Sequence, residues 1–284
     1  MTKMRFTDAV VLALFAPLVL GQIALKCSEL HLIYARATTE PPSGMSGSTT
    51  PQQFETAASK TPTKGFGAAG FSLLQELTKL VPALTAYPVN YPADWSGCSS
   101  ETKGVNDILT QLSTMAKACP NQKYVLGGHS QGAVVTTSVA SKIPKDLLPR
   151  VIAVTMFGAP PCPEVVKGMC RSYCNKGDDI CDGSANAKSL GKCSGKAPGV
   201  RRWFDVRNET EEAIHAEAST LWLSNLAEPM SPAAIEQAQE ECSGAATPEK
   251  GHVTSGYAKS YNRDAFYTKA AACYIFKRLK GVAA

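Results

Sequence analysis

The chain has 284 residues, 44% of them hydrophobic, and a formal net charge of +5. That is enough apolar material for a full core, which excludes an intrinsically disordered chain. The charge is mild and dispersed, and short basic steps such as Arg201-Arg202 carry no aromatic interleaving, so a nucleic-acid-binding surface is excluded too.

Lys3 and Arg5 precede an apolar run from Ala9 to Leu20, and Gly21 and Ala24 offer small-residue exits. This reads as a secretory signal peptide over 1–21, leaving 22–284 as a secreted, extracellular chain. The apolar run is too short to span a bilayer comfortably, and the basic end Lys277-Arg278-Leu279-Lys280 does not resemble an anchor-addition signal. No stable membrane anchor is expected. Ten cysteines (27, 98, 119, 162, 170, 174, 181, 193, 242 and 273) all follow the signal. An even count in an oxidising compartment predicts a disulfide framework. The 162–193 stretch has neither a CxxC pair nor an interleaved histidine, which argues against zinc.

Leu30–Tyr34 is a continuous apolar run and reads as a buried strand, with His31 packed inside it. A Ser/Thr/Pro/Gly loop follows from Thr38 to about Gly70. Apolar residues at helical spacing predict a helix over 71–81, and Leu84–Tyr91 reads as a strand broken by Pro88. Val105, Ile108, Leu109, Leu112 and Met115 predict a helix over 105–118. Then come a strand over 123–127, a helix over 131–143 and a strand over 151–157. Strands alternating with helices imply an α/β, three-layer α/β/α architecture around a central, mostly parallel sheet. Residues 182–250 leave that rhythm and read as an insertion within one domain, with no separate second domain. The insertion contains an amphipathic run, Glu211–Leu226, and Asn208-Glu-Thr, a glycosylation acceptor pattern. Ser231-Pro232 reads as N-cap and first turn of a short helix to Glu241. The last helix is expected over 264–279.

The stretch Tyr124–Val135 carries the chemistry. Gly128-His129-Ser130-Gln131-Gly132 is a G-x-S-x-G pattern between an apolar strand and a helix-forming run. A serine on such a sharp strand-to-helix turn has its hydroxyl lifted above the sheet, and side chains at the flanking glycines would collide with neighbouring backbone. Ser130 is therefore the candidate nucleophile. It needs a base and an orienting acid, which follow in the order Ser, Asp/Glu, His on this kind of fold. His215 and His252 are the histidines after Ser130. His215 lies in the Glu-rich amphipathic run, where a surface role is the simpler account. His252 sits in a loop before the last helix, where a mobile base belongs.

Four segments together resemble the cutinase family of α/β-hydrolases, which also holds acetylxylan esterases and related lipases. They are Cys27 with Leu32–Glu40, Cys119-Pro120 with Gly127–Ala133, Cys174–Cys181 and Gly251-His252-Val253. The resemblance implies the hydrolase version of the fold, with Ser130 as nucleophile, Asp178 as acid and His252 as base. It implies an oxyanion hole from Thr38 and the Gln131 N–H, and disulfides Cys27–Cys119 and Cys174–Cys181. Asp179 is the neighbouring rival for the acid. Position 37 is alanine where the family has glycine, and the insertion separates Asp178 from His252, which keeps His215 open as the base. The implied activity is ester hydrolysis through an acyl-enzyme by a monomer, with no metal or organic cofactor. The ester could be a cutin-type polyester, a lipid or an acetylated polysaccharide. Ile214, Leu221, Trp222 and Leu226 form an apolar face that suits a lid or simply packs on the domain. A catalytically silent secreted surface protein is the reading from another class.

Overall fold

The computed structural model describes residues 26–38, 65–94, 98–159, 161–175, 178, 181, 231–244, 261 and 266–282. Residues 1–25, expected to hold the leader peptide, most of the expected insertion over 182–250, Asn208, His215 and His252 lie outside the described residues.

A five-stranded parallel sheet in the order β2-β1-β3-β4-β5 forms the centre. Its strands are β1 (Leu30–Ala35), β2 (Thr85–Pro88), β3 (Lys123–His129), β4 (Val151–Phe157) and β5 (Cys170–Tyr173). The helices are α1 (Gly67–Leu80), α2 (Cys98–Ala118), α3 (Gln131–Ala140), α4 (Pro232–Gly244) and α5 (Phe266–Lys280). Because a strand's side chains alternate between faces, β1 is buried on both sides. Leu30, Leu32 and Tyr34 join the core under α1 and α5, while Ile33 and Ala35 join the core under α2 and α3. That is a three-layer α/β/α architecture.

Each helix buries the stripe its sequence offers. In α1 this is Leu73, Leu74, Leu77 and Leu80, and in α2 it is Val105, Ile108, Leu112 and Met115. The first helix lies against the last, α1 against α5. Outside them α4 is fastened by the Cys242–Cys273 disulfide and by Gln239 Nε2 donating to Leu80 O at 2.8 Å. The start of α4 follows its cap: Ser231 Oγ accepts from Ala234 N–H at 3.2 Å and Pro232 opens the helix.

Several boundaries differ from the sequence expectation. β2 stops at Pro88 rather than Tyr91, with one more bond beyond it, Val89 N–H to Tyr34 O at 2.9 Å. α3 stops at Ala140 rather than Ile143, since Pro144 pushes the residue before it out of the helical region. α2 begins at Cys98, where Ser99–Lys103 give no apolar period to read. β5 was not anticipated: it has four residues, and its middle pair Arg171-Ser172 is polar and half-buried.

The amino ends of the strands are closed by polar contacts. Arg150 donates to Gln122 O at 3.0 Å, Ala116 O at 3.1 Å, Cys119 O at 2.5 Å and Tyr124 Oη at 3.2 Å. A guanidinium on the last carbonyls of α2 satisfies groups the helix leaves open and complements its negative end. Beside it, Cys27 is bonded to Cys119, tying the chain before β1 to the end of α2. No helix among the described residues is long and apolar enough to cross a membrane.

Candidate active site

In a sheet of order 2-1-3-4-5 the chain runs outward in opposite directions from β1 and β3. The crevice beyond the carboxyl ends of those two strands is where such sheets bind ligands. Ser130 stands there, between the end of β3 and the start of α3. Its backbone has φ 52° and ψ −115°, a conformation that costs a residue with a side chain roughly 1–3 kcal/mol and must be imposed by its surroundings. Three hydrogen bonds impose it. Ser130 N–H donates to Phe157 O at 3.0 Å, and Ser130 O accepts from Ala133 and Val134 N–H at 2.9 and 3.1 Å.

The flanking glycines are steric requirements. A Cβ on Gly128 would stand 2.3 Å from Gly132 O, and one on Gly132 only 2.0 Å from Ala35 O and 2.5 Å from Arg36 O. The start of α3 therefore presses directly on the end of β1, which Thr38 follows three residues later, half-buried. Arg36, 2% exposed, fixes that exit. Its guanidinium donates to Tyr91 O at 3.0 Å and Pro92 O at 3.1 Å, and Tyr91 donates its hydroxyl back to Arg36 O. Gln131 donates its side-chain amide to Asp94 O at 3.0 Å. Its backbone N–H belongs to the first turn of α3, whose donors have no partner within the helix. Burial pushes the nearby Glu101 carboxyl up, and a hydrogen bond from the Gln131 side chain pulls it partly back.

Asp178 is buried at the end of β4, on the same edge as Ser130. A Cβ on Gly158, the residue after β4, would lie 3.0 Å from Asp178 Oδ2. The loop carrying Asp178 is closed by the Cys174–Cys181 disulfide and by Asp178 N–H to Asn175 O and Cys181 N–H to Asp178 O, both 3.2 Å. A second bridge, Cys162–Cys170, fixes the run into β5, and Cys98 is also disulfide-bonded.

Sequence comparison matches the same region. A cutinase family model matches residues 53–191, a span that includes Ser130, Gln131 and Asp178 and leaves out Thr38 and His252. Residues 53–191 are thus similar to cutinases. A cutinase of Kineococcus radiotolerans is 29% identical over 188 residues, 59% of this chain and 56% of that protein. The carboxylesterase Culp1 of Mycobacterium tuberculosis is 30% identical over 136 residues, 47% of this chain and 52% of that one. The chain thus spans about half the length of these curated relatives. Among solved structures, a cutinase-like protein from Cryptococcus sp. is 20% identical with a TM-score of 0.44, covering 58% of this chain and 88% of that one.

The structure gathers Ser130, Gln131, Thr38 and Asp178 along the carboxyl edge of the sheet. His252, His215 and Asp179 lie outside the described residues. One residue that sequence reading passed over stands among them. Tyr261 is 1% exposed and donates its hydroxyl to Asp178 Oδ2 at 2.5 Å while accepting from Asn175 N–H at 3.1 Å. Its ring lies 5.1 Å from that of His129, the residue before the serine. The signal available for it was a tyrosine nine positions after a histidine in a polar loop, which carries no period.

Proposed function

We propose that this chain is a secreted serine esterase hydrolysing carboxylic esters, cutin-type polyesters among them, as a monomer. The observation that carries the reading is the left-handed Ser130, wedged between two glycines that no other residue could replace without collision. Strain of this kind at a strand-to-helix turn is what a nucleophile elbow requires. In the mechanism, His252 accepts the Ser130 proton as the oxygen attacks the ester carbonyl. Thr38 and the Gln131 N–H receive the developing oxyanion, and Asp178 keeps the imidazole oriented and stabilises its charged form. The alcohol leaves with the proton from His252. Water, deprotonated by the same histidine, then cleaves the acyl-enzyme. The relatives named cutinase and carboxylesterase support the ester as substrate.

Hydrolysis of p-nitrophenyl butyrate tests this. Ser130→Ala should lower kcat by at least about 10³-fold while the protein stays folded. His252→Ala should do nearly the same and His215→Ala should leave most activity. Turnover surviving in Ser130→Ala would end the serine reading, and loss with His215→Ala alone would move the base there.

A further inference from the structure

The hydroxyl of Tyr261 is the meeting point of two hydrogen bonds, from Asn175 N–H and to Asp178 Oδ2. Its ring is packed on three sides, with centroids 5.1 Å from His129, 6.1 Å from Phe157 and 5.8 Å from Tyr267. Gly158 closes the fourth side, since a Cβ there would come within 3.1 Å of the ring and 3.0 Å of Asp178 Oδ2. Tyr267 adds a second clamp by donating its hydroxyl to Cys174 O at 2.8 Å. Asp178 and Tyr261 are 83 positions apart, so this contact ties the acid loop to the segment leading into α5.

We infer that Tyr261 is a positioning residue: its hydroxyl fixes the rotation of the Asp178 carboxylate so that the other oxygen faces the base. The inference rests on the reading of Asp178 as the acid. A carboxylate turns freely about its last bond unless both oxygens are engaged, and a freely turning acid orients its histidine only part of the time. A donor on Oδ2 also spreads the negative charge, which tempers the pull on the imidazolium. Burial, and after it the neighbouring Asp178 carboxylate, hold the Tyr261 phenol far above its ordinary range. It therefore stays protonated, and a donor, at every pH where an esterase works.

The experiment is Tyr261→Phe, which keeps the ring and removes the oxygen, with kcat counted per serine titrated by a p-nitrophenyl phosphonate. The expected result is a roughly 10- to 100-fold fall in kcat with KM changed less than about twofold. The acid limb of kcat/KM should move to higher pH, because the more localised Asp178 charge holds the proton on the base. In an Asp178→Asn background the same substitution should cost little, since Tyr261 acts through Asp178. Equal losses in both backgrounds, an unmoved acid limb, or a Tyr261→Phe protein with no titratable serine would each overturn the inference in favour of a purely structural tyrosine. If Asp178→Asn itself leaves kcat intact, the assignment of the acid has failed rather than that of Tyr261.

Discussion

His31 is 2% exposed inside β1, with Nδ1 2.7 Å from Thr85 Oγ1 and the ring edge-on to Tyr124 at 6.2 Å. Its Nε2 has no hydrogen-bond partner among the described residues, and burial lowers its pKa from 6.5 to about 4. The folded protein thus refuses a proton that the unfolded chain binds near pH 6.5. Stability is full above that pH and falls progressively down to about pH 4, by up to roughly 3 kcal/mol. Urea unfolding at pH 7 and pH 4.5 checks this: His31→Asn should flatten the pH dependence, and an equally steep loss in the variant would assign the acid sensitivity to other groups. At the same scale, the tight turn at Ser130 was legible because its glycines are local in sequence. Tyr261 was not, because its partner lies across the fold and nothing in Lys259-Ser260-Tyr261-Asn262 differs from an ordinary polar loop.

Between elements, the tightest contact is the crossing of α3 over the end of β1. Gly132 meets Ala35 O there at a distance that leaves no room for one methyl. Gly132→Ala must push β1 and α3 apart, destabilising the fold by about 1–3 kcal/mol. It should also reduce turnover more than the stability loss explains, because the same displacement carries Thr38 away from Gln131. A variant with the wild-type urea midpoint and wild-type kcat would show that the crossing relaxes freely. This crossing follows from the motif, as did β1, β3 and β4, whose uninterrupted apolar runs leave little choice of state. The elements that escaped are those whose side chains face water for part of their length: the first turns of α2 and the whole of β5. Periodicity can only report a buried face, so an element with a weakly buried one leaves no pattern.

For the whole molecule, the bridges divide into two kinds. Cys27–Cys119 closes a loop with a sequence separation of 92, whereas Cys174–Cys181 closes one of 7. In the chain-entropy account the long bridge contributes about 4–5 kcal/mol and the short one about 2 kcal/mol. Cys27→Ser/Cys119→Ser should therefore lower Tm by roughly 10 °C with kcat little changed. Cys174→Ser/Cys181→Ser should lower Tm less and kcat more, since it frees the loop that carries Asp178. Scanning calorimetry paired with turnover at 25 °C reads both, and the opposite ranking would mean that the short bridge, not the long one, holds the fold.

The pairing of α1 with α5 has a consequence for how the protein is made. A ribosome delivers α1 early, yet the helix that covers Leu73, Leu74 and Leu77 emerges only after β1–β5 have been made. Tyr267, which clamps the loop carrying Asp178, arrives with it. Until α5 has emerged, the nascent chain carries an uncovered leucine face and an Asp178 loop without its Tyr267 clamp, so it is sticky. A premature stop before Phe266 would leave it in that condition for good.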